Sequence, residues 1–367
     1  MPLFPPSSCA RLVVKIGSAL LVDGDGGVRR VWLEEIAADV ADRMRAGQQV
    51  AIVSSGAIAL GARRLGLAKG GRGTLEDAQA AAAVGQIALA GVWADVLAAQ
   101  GLTAAQMLVT LDDLEDRRRY LNAAATLGRL LGLGAVPVIN ENDSVATAEI
   151  RFGDNDRLAA RVAQAAGAQG VVLLSDVDGL YDRNPSLAAA VHVARVERID
   201  GAIEAMADGG SGSGMGSGGM VSKIAAARIA NAAGAHLAIA NGRGGRPLAV
   251  DARHTLFVAE KAAPARKAWL AGGLTARGVI HVDAGAADAL RSGKSLLAAG
   301  ATRLEGGFAR GDLVEIAGPG GIIARGLAEY DAGDAAKVLG QRNEAHTALL
   351  GYAPRSTLVH RSNMALV

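Results

Sequence analysis

The sequence predicts an α/β fold, with a mainly parallel sheet covered on both faces by helices, followed by a small, mainly β module. Three observations carry this prediction. Short runs rich in Val and Ile recur over the first 240 residues, each bounded by turn residues and too short for an ordinary helix, as expected of strands buried on both faces. Longer Ala-, Leu- and Arg-rich segments alternate with them, and strand-helix alternation implies a parallel sheet. Beyond Lys261 the texture changes to Ala, Gly and basic residues, then to short apolar runs separated by Gly278, Gly293, Gly306, Gly311 and Gly318.

In chain order, the strands are expected at Arg11 to Ile16, Gln49 to Val53, Ala135 to Ile139, Gly170 to Leu174 and His236 to Ala240. The helices are expected at Val31 to Ala46, Leu75 to Ala99, Arg118 to Leu131 and Val221 to Ala233. A length of 367 residues suits two domains, with a boundary near Ala271 to Ala276.

Composition removes several classes. Half the residues are apolar, and 49 glycines with 9 prolines fall short of a low-complexity chain. The net charge of +2 and an aromatic content of 3% leave neither a strong positive field nor many stacking platforms for a nucleic acid. The single cysteine, Cys9, cannot close an intramolecular disulfide, which fits a reducing compartment, and the cytoplasm is the expected location. The apolar stretch Ala78 to Ala94 falls short of the roughly 20 residues of a bilayer span, and no charge precedes Arg11 to begin a signal peptide. A soluble protein with no membrane partner is expected.

Ligands of open α/β sheets bind outside the carboxyl ends of the strands, so the polar residues after each apolar run come first. Lys15 lies inside Leu12-Val13-Val14-Lys15-Ile16 and precedes Gly17-Ser18; a buried lysine calls for an anion, whereas an edge-strand lysine would only snorkel to water. Ser54-Ser55-Gly56-Ala57-Ile58 opens a helix, where free amides bind anions and where serine also serves as an ordinary N-cap. Asn140-Glu141-Asn142-Asp143 and Gly153-Asp154-Asn155-Asp156 are two acidic-amide clusters suited to a substrate ammonium, a metal or a catalytic lysine. Their spacing is not that of a calcium loop, and the six histidines show no i, i+4 pair for zinc.

Gly209 to Gly219 holds seven glycines in eleven residues and runs into a helix start carrying Lys223. A flexible linker would look similar, but no Asp or Glu occurs from Gly209 to Val250, while Lys223, Arg228, Arg243 and Arg246 do. An acid-free stretch around open amides favours a polyanion such as a phosphate chain.

Together, Lys15-Ile16-Gly17-Ser18, Ser54-Ser55-Gly56-Ala57-Ile58, Pro137 to Asp143, Gly153-Asp154-Asn155-Asp156, Asp178-Gly179-Leu180-Tyr181 and Gly218-Gly219-Met220-x-x-Lys223 closely resemble the glutamate 5-kinase family. These are amino acid kinases that often carry a C-terminal PUA domain. The resemblance runs from about Arg11 to about Arg361. It implies a three-layer αβα sandwich of the amino acid kinase fold over residues 1–265, a linker at 266–275 and a PUA domain at 276–361. It also implies ATP-dependent phosphorylation of the γ-carboxylate of L-glutamate to L-glutamyl 5-phosphate, the first step of proline biosynthesis.

By that resemblance, Lys15 and Lys223 neutralise the migrating phosphoryl group and Asp156 holds them in place. Ser55, Asp143 and Asn155 match the glutamate-binding residues. The nucleotide-binding positions are Lys15, Ser175, Asp176, Ser217, Gly218, Gly219, Met220, Val221, Ser222 and Lys223; relatives commonly have threonine where Ser175 stands. Mg²⁺ would bridge the β- and γ-phosphates, so no protein ligand for it is nominated. Further implied features are a homo-oligomer, feedback inhibition by proline and a glutamyl phosphate reductase as partner.

Two other readings start from the same residues. A kinase of N-acetylglutamate would face no substrate ammonium, so the acidic cluster around Asp143 argues for the free amino acid. An RNA-binding protein acting through the PUA domain would need a basic stripe. Residues 276–361 hold ten Lys and Arg against nine Asp and Glu, with only Phe308, Tyr330 and Tyr352 as aromatics. A regulatory or scaffolding role is expected of this module.

Overall fold

The computed structural model describes residues 3–23, 27–145, 154–208, 219–249, 252–259, 276–352 and 354–367. They form two compact units, one comprising Met1–Glu115 with Ala123–Ala262 and the other Asp116–Asn122 with Ala263–Val367. The expected linker at 266–275 lies outside the described residues.

The strands of the first unit are β1 (Arg11–Ile16), β2 (Gln49–Ser54), β3 (Ala104–Val109), β4 (Val136–Glu141), β5 (Gly170–Ser175), β6 (Leu180–Tyr181), β7 (His192–Val193), β8 (Arg195–Val196), β9 (His236–Asn241) and β10 (His254–Phe257). Its helices are α1 (Ser18–Leu21), α2 (Arg30–Arg45), α3 (Ala57–Leu65), α4 (Leu75–Ala98), α5 (Leu111–Glu115), α6 (Arg117–Gly132, in this unit from Ala123 onward), α7 (Asp154–Ala166), α8 (Gly201–Asp208) and α9 (Met220–Ala232). Eight strands make one sheet in the order β3-β4-β2-β1-β5-β9-β10-β8. All its pairings are parallel except β9 with β10.

Side chains of a strand alternate between faces, and the sequence numbers record it. Val13, Val53, Val171, Leu173, Leu237 and Ile239 pack with α6, α7 and α9 on one face. Leu12, Val14, Ile16, Val50, Ile52, Val172 and Leu174 pack with α2, α3 and α4 on the other. The result is the three-layer sandwich expected from the sequence. Lys15 has the parity of Val13, so it points to the α7 and α9 side. It is also far from any sheet edge, because β1 is hydrogen-bonded to β2 at Lys15↔Val53 and to β5 at Lys15↔Leu173.

Of the eight-stranded sheet, β3, β10 and the two-residue β8 escaped the sequence reading, as did the two-residue β6 and β7. β3 carries Gln106 at an edge of the sheet, and β10 is a four-residue antiparallel return, so neither shows the continuous apolar run of a central parallel strand. Helix α4 is 24 residues long, and among the described residues it is the one long and apolar enough to cross a membrane by length and composition. Its Leu89, Trp93, Val96 and Leu97 are buried in the core. Thr74 caps its start, accepting a hydrogen bond from the Asp77 amide at 3.1 Å.

Helices α3 and α4 touch backbone to backbone. A Cβ on Gly61 would lie 1.7 Å from the Ala81 carbonyl oxygen, and one on Gly85 would lie 1.8 Å from that of Ala57. Only glycine permits this approach, which seats the helix following Ser55 firmly on the long core helix.

The second unit contains β11 (Gly278–Val282), β12 (Ala301–Glu305), β13 (Leu313–Gly318), β14 (Gly321–Leu327) and β15 (Met364–Leu366), with α10 (Ala284–Arg291), α11 (Ala332–Val338) and α12 (Asn343–Leu350). Its sheet runs β12-β11-β13-β14-β15 over a separate core that includes Ile280, Leu290, Val314, Ile316 and Val338. Asp283 and Asp331 cap α10 and α11.

Candidate active site

Three residues far apart in sequence meet at the carboxyl end of the central strand. Lys15 comes from β1, Asp156 from the first turn of α7 and Lys223 from the first turn of α9. The Lys15 Nζ lies 2.6 Å from one Asp156 carboxylate oxygen, and the Lys223 Nζ lies 2.9 Å from the other. All three are buried, Asp156 completely. Two ammonium groups on one carboxylate leave a net positive charge inside the protein, a costly arrangement that a bound anion relieves.

The electrostatics follow from burial first. Burial drives the Lys15 ammonium below its ordinary pKa, and neighbouring Lys223 adds to the effect while Asp156 opposes it. Burial alone would raise the Asp156 carboxyl, but the two ammonium groups overcome it and hold the group below the usual carboxylate range. Asp156 is therefore ionised at neutral pH.

Beside this triad, Asn155 donates from Nδ2 to the Ser55 Oγ at 2.9 Å, joining the start of α7 to the loop after β2. The Asn155 Oδ1 is buried and accepts no hydrogen bond from the described residues. Ser54 is held from behind by the Trp93 Nε1, which donates to its Oγ at 3.0 Å. Gly56, at φ +103°, turns the chain into α3.

Asp143 is buried on the loop after β4, and that strand pairs with β2. The loop is anchored at Asn140, whose Nδ2 donates to the Gln86 Oε1 of α4 at 2.7 Å. A cavity of about 320 Å³ opens beside Asp143, lined among others by Gln86, Gln106, Glu141 and Asn142.

Ser175 ends β5 and donates from Oγ to the Asp176 carboxylate at 3.1 Å. Asp176 is also within electrostatic reach of Lys15. Gly219 is the N-cap of α9 and offers no side chain to its free amides; Met220, Val221 and Ser222 complete the approach to Lys223. Ser217 and Gly218 lie outside the described residues. Among the described residues, no group of three or more His, Cys, Asp or Glu is placed to hold a metal ion.

Residues 10–241 match the amino acid kinase family, and residues 278–347 match the PUA domain. The chain belongs to the amino acid kinase family. Within that family it is similar over its whole length to three bacterial proteins named glutamate 5-kinase. That of Sphingopyxis alaskensis is 74% identical, with 100% of both chains covered. That of Novosphingobium aromaticivorans is 62% identical over 98% of this chain and 97% of its own. That of Zymomonas mobilis is 57% identical over 100% and 93%.

As an amino acid kinase, the chain carries site features that sequence reasoning did not find. Gln86 and Trp93 support the site loops from α4, where they look like ordinary core-helix residues. Arg72 lies within electrostatic reach of Asp143, and nothing in Gly70-Gly71-Arg72-Gly73 marks it in sequence.

Proposed function

We propose that this chain transfers the γ-phosphoryl group of Mg–ATP to the γ-carboxylate of L-glutamate, forming L-glutamyl 5-phosphate. The carrying observation is the buried Lys15–Asp156–Lys223 triad, a fixed pair of cations at the ligand end of the sheet. Its similarity to the glutamate 5-kinases supports glutamate as acceptor.

Phosphoryl transfer passes through a loose, in-line transition state in which negative charge spreads over the migrating group. Lys15 and Lys223 neutralise that charge, and Asp156 positions both amines before substrate arrives. The acceptor is already an anion at neutral pH, so no general base is required. Its oxygen bonds to the γ-phosphorus as the bond to the β,γ-bridging oxygen breaks, and ADP leaves without a covalent enzyme intermediate.

Ser55, Asn155 and Asp143 hold glutamate. The Asp143 carboxylate suits the α-ammonium, and the Asn155 Oδ1 is an acceptor waiting for a donor. Ser175, Asp176 and the segment Ser217 to Lys223 hold the nucleotide, with Mg²⁺ arriving on the phosphates.

The same reading includes a cytoplasmic homo-oligomer, proline as feedback inhibitor and a reductase that consumes the labile acyl phosphate. Self-association is supported by α4, which exposes Ala80, Ala83, Ile87, Gly91 and Ala94 along one stripe, with Ile87 76% exposed.

The test supplies Mg–ATP with glutamate, N-acetylglutamate or aspartate and traps acyl phosphate with hydroxylamine. Hydroxamate from glutamate alone is expected. Hydroxamate from N-acetylglutamate in preference, or none from any acceptor, refutes the proposal.

A further inference from the structure

The acid-free stretch from Gly209 to Val250 contains four cations, and their partners separate them. Lys223 belongs to the triad. Arg228 is paired with Glu204 at 2.5 Å, and Arg246 with both Asp39 and Asp42. Arg243 instead meets Asp176 at 3.8 Å, beyond hydrogen-bond length, with 66% of its side chain exposed.

Arg243 is nevertheless accurately placed. The preceding Gly242 donates its amide to the Ser175 carbonyl at 2.8 Å, and its own carbonyl accepts from the buried Trp32 Nε1 at 2.7 Å. The Arg243 amide donates to the Asn241 Oδ1 at 2.8 Å. This loop leaves β9 at the register pair Ser175↔Asn241, so it lies on the same carboxyl edge as Lys15 and beside Ser175-Asp176. The backbone leading into Arg243 is thus fixed to β5 and to α2, and its exposed guanidinium projects from that fixed point.

We propose that Arg243 binds a non-transferred phosphate, α or β, of the nucleotide. The inference rests on the nucleotide site proposed above. A phosphate chain ending at Lys15 and Lys223 and passing Asp176 would meet an uncompensated carboxylate; Arg243 offsets that charge and supplies a forked donor to the phosphate oxygens.

The experiment measures binding of ADP, AMP and adenosine, with Mg²⁺ present, to the wild-type chain, Arg243→Ala and Arg243→Lys. Loss of one charge-assisted contact at an exposed site weakens ADP by about tenfold in the alanine variant. Adenosine, which has no phosphate, keeps its affinity, and lysine recovers part of the loss. In turnover, KM for ATP rises by more than kcat falls, while KM for glutamate holds. Unchanged ADP affinity in Arg243→Ala overturns the assignment, as does an equal loss for adenosine. Failure of the wild-type chain to bind ADP would remove the nucleotide site itself, and the role of Arg243 with it.

Discussion

Asp156→Asn tests the centre of the site with almost no change of shape. In the native chain each ammonium–carboxylate pair, at 2.6 and 2.9 Å, is worth about 6 kcal/mol of attraction at an effective dielectric near 20. The two amines also repel each other, and Lys223 accordingly lowers the Lys15 pKa. Asp156 opposes both this repulsion and the larger effect of burial on the Lys15 ammonium. The amide removes the attraction and leaves the repulsion. Breaking a buried ion pair costs about 3–5 kcal/mol of stability, and a lysine that escapes by losing its proton no longer neutralises phosphate.

Two measurements follow. In the hydroxamate assay, kcat of Asp156→Asn falls by about 10²–10³-fold, the range seen when one transition-state charge contact is lost. In urea titrations from pH 7 to 10, the variant gains stability with pH more steeply than the native chain. The sign comes from Lys15, whose folded pKa is already lowered and falls further without the carboxylate. Folding must then expel a proton wherever the pH lies between the folded and the unfolded Lys15 values. For Lys15 that cost shrinks by up to about 1.4 kcal/mol per pH unit. The native carboxylate has the opposite window: its lowered pKa contributes stability above the unfolded value, lost as pH falls through the folded one. Native-like kcat together with parallel pH–stability curves would refute the triad.

Gly61→Ala places a methyl group against the Ala81 backbone of α4 and should cost about 3 kcal/mol, read as a fall in Tm; a Tm within a degree of native would contradict the backbone contact. Asn155→Ala removes the 2.9 Å bond to Ser55 and raises KM for glutamate about tenfold with little effect on KM for ATP; equal effects on both substrates would detach Asn155 from the acceptor side. Cys9 is buried and its thiol is pushed up to about 11, so an aromatic disulfide reagent at pH 8 labels it only after denaturation; rapid labelling of the native chain would contradict its burial.

Much of this was legible in the sequence because central parallel strands expose nothing. β1, β2, β4, β5 and β9 are apolar on both faces and so stand out as runs, whereas the edge strand β3 and the short return β10 do not. A lysine within such a run signals chemistry, and so does an acidic cluster directly after one. Gln86, Trp93 and Arg72 gave no comparable signal: each acts through a contact set by how α4 and its preceding loop cross the site, and helix crossing leaves no local trace in composition.

The alternation that hides Lys15 among valines also chooses its partners. Had the lysine stood one residue earlier or later, it would face α2 and α4, where Trp32, Ile36 and Leu89 fill the space. At position 15 it faces the two helices whose first turns carry Asp156 and Lys223. Both helices present their N-terminal ends at this edge, so their dipoles favour anions where Lys15 emerges. Asp156 profits from one of them as a carboxylate in a first turn. Lys223, a cation in a first turn, is placed against the dipole of its own helix, a position that Asp156 and an arriving phosphate make tenable. The unfavourable placement of Lys223 is thus itself an argument for an anionic ligand.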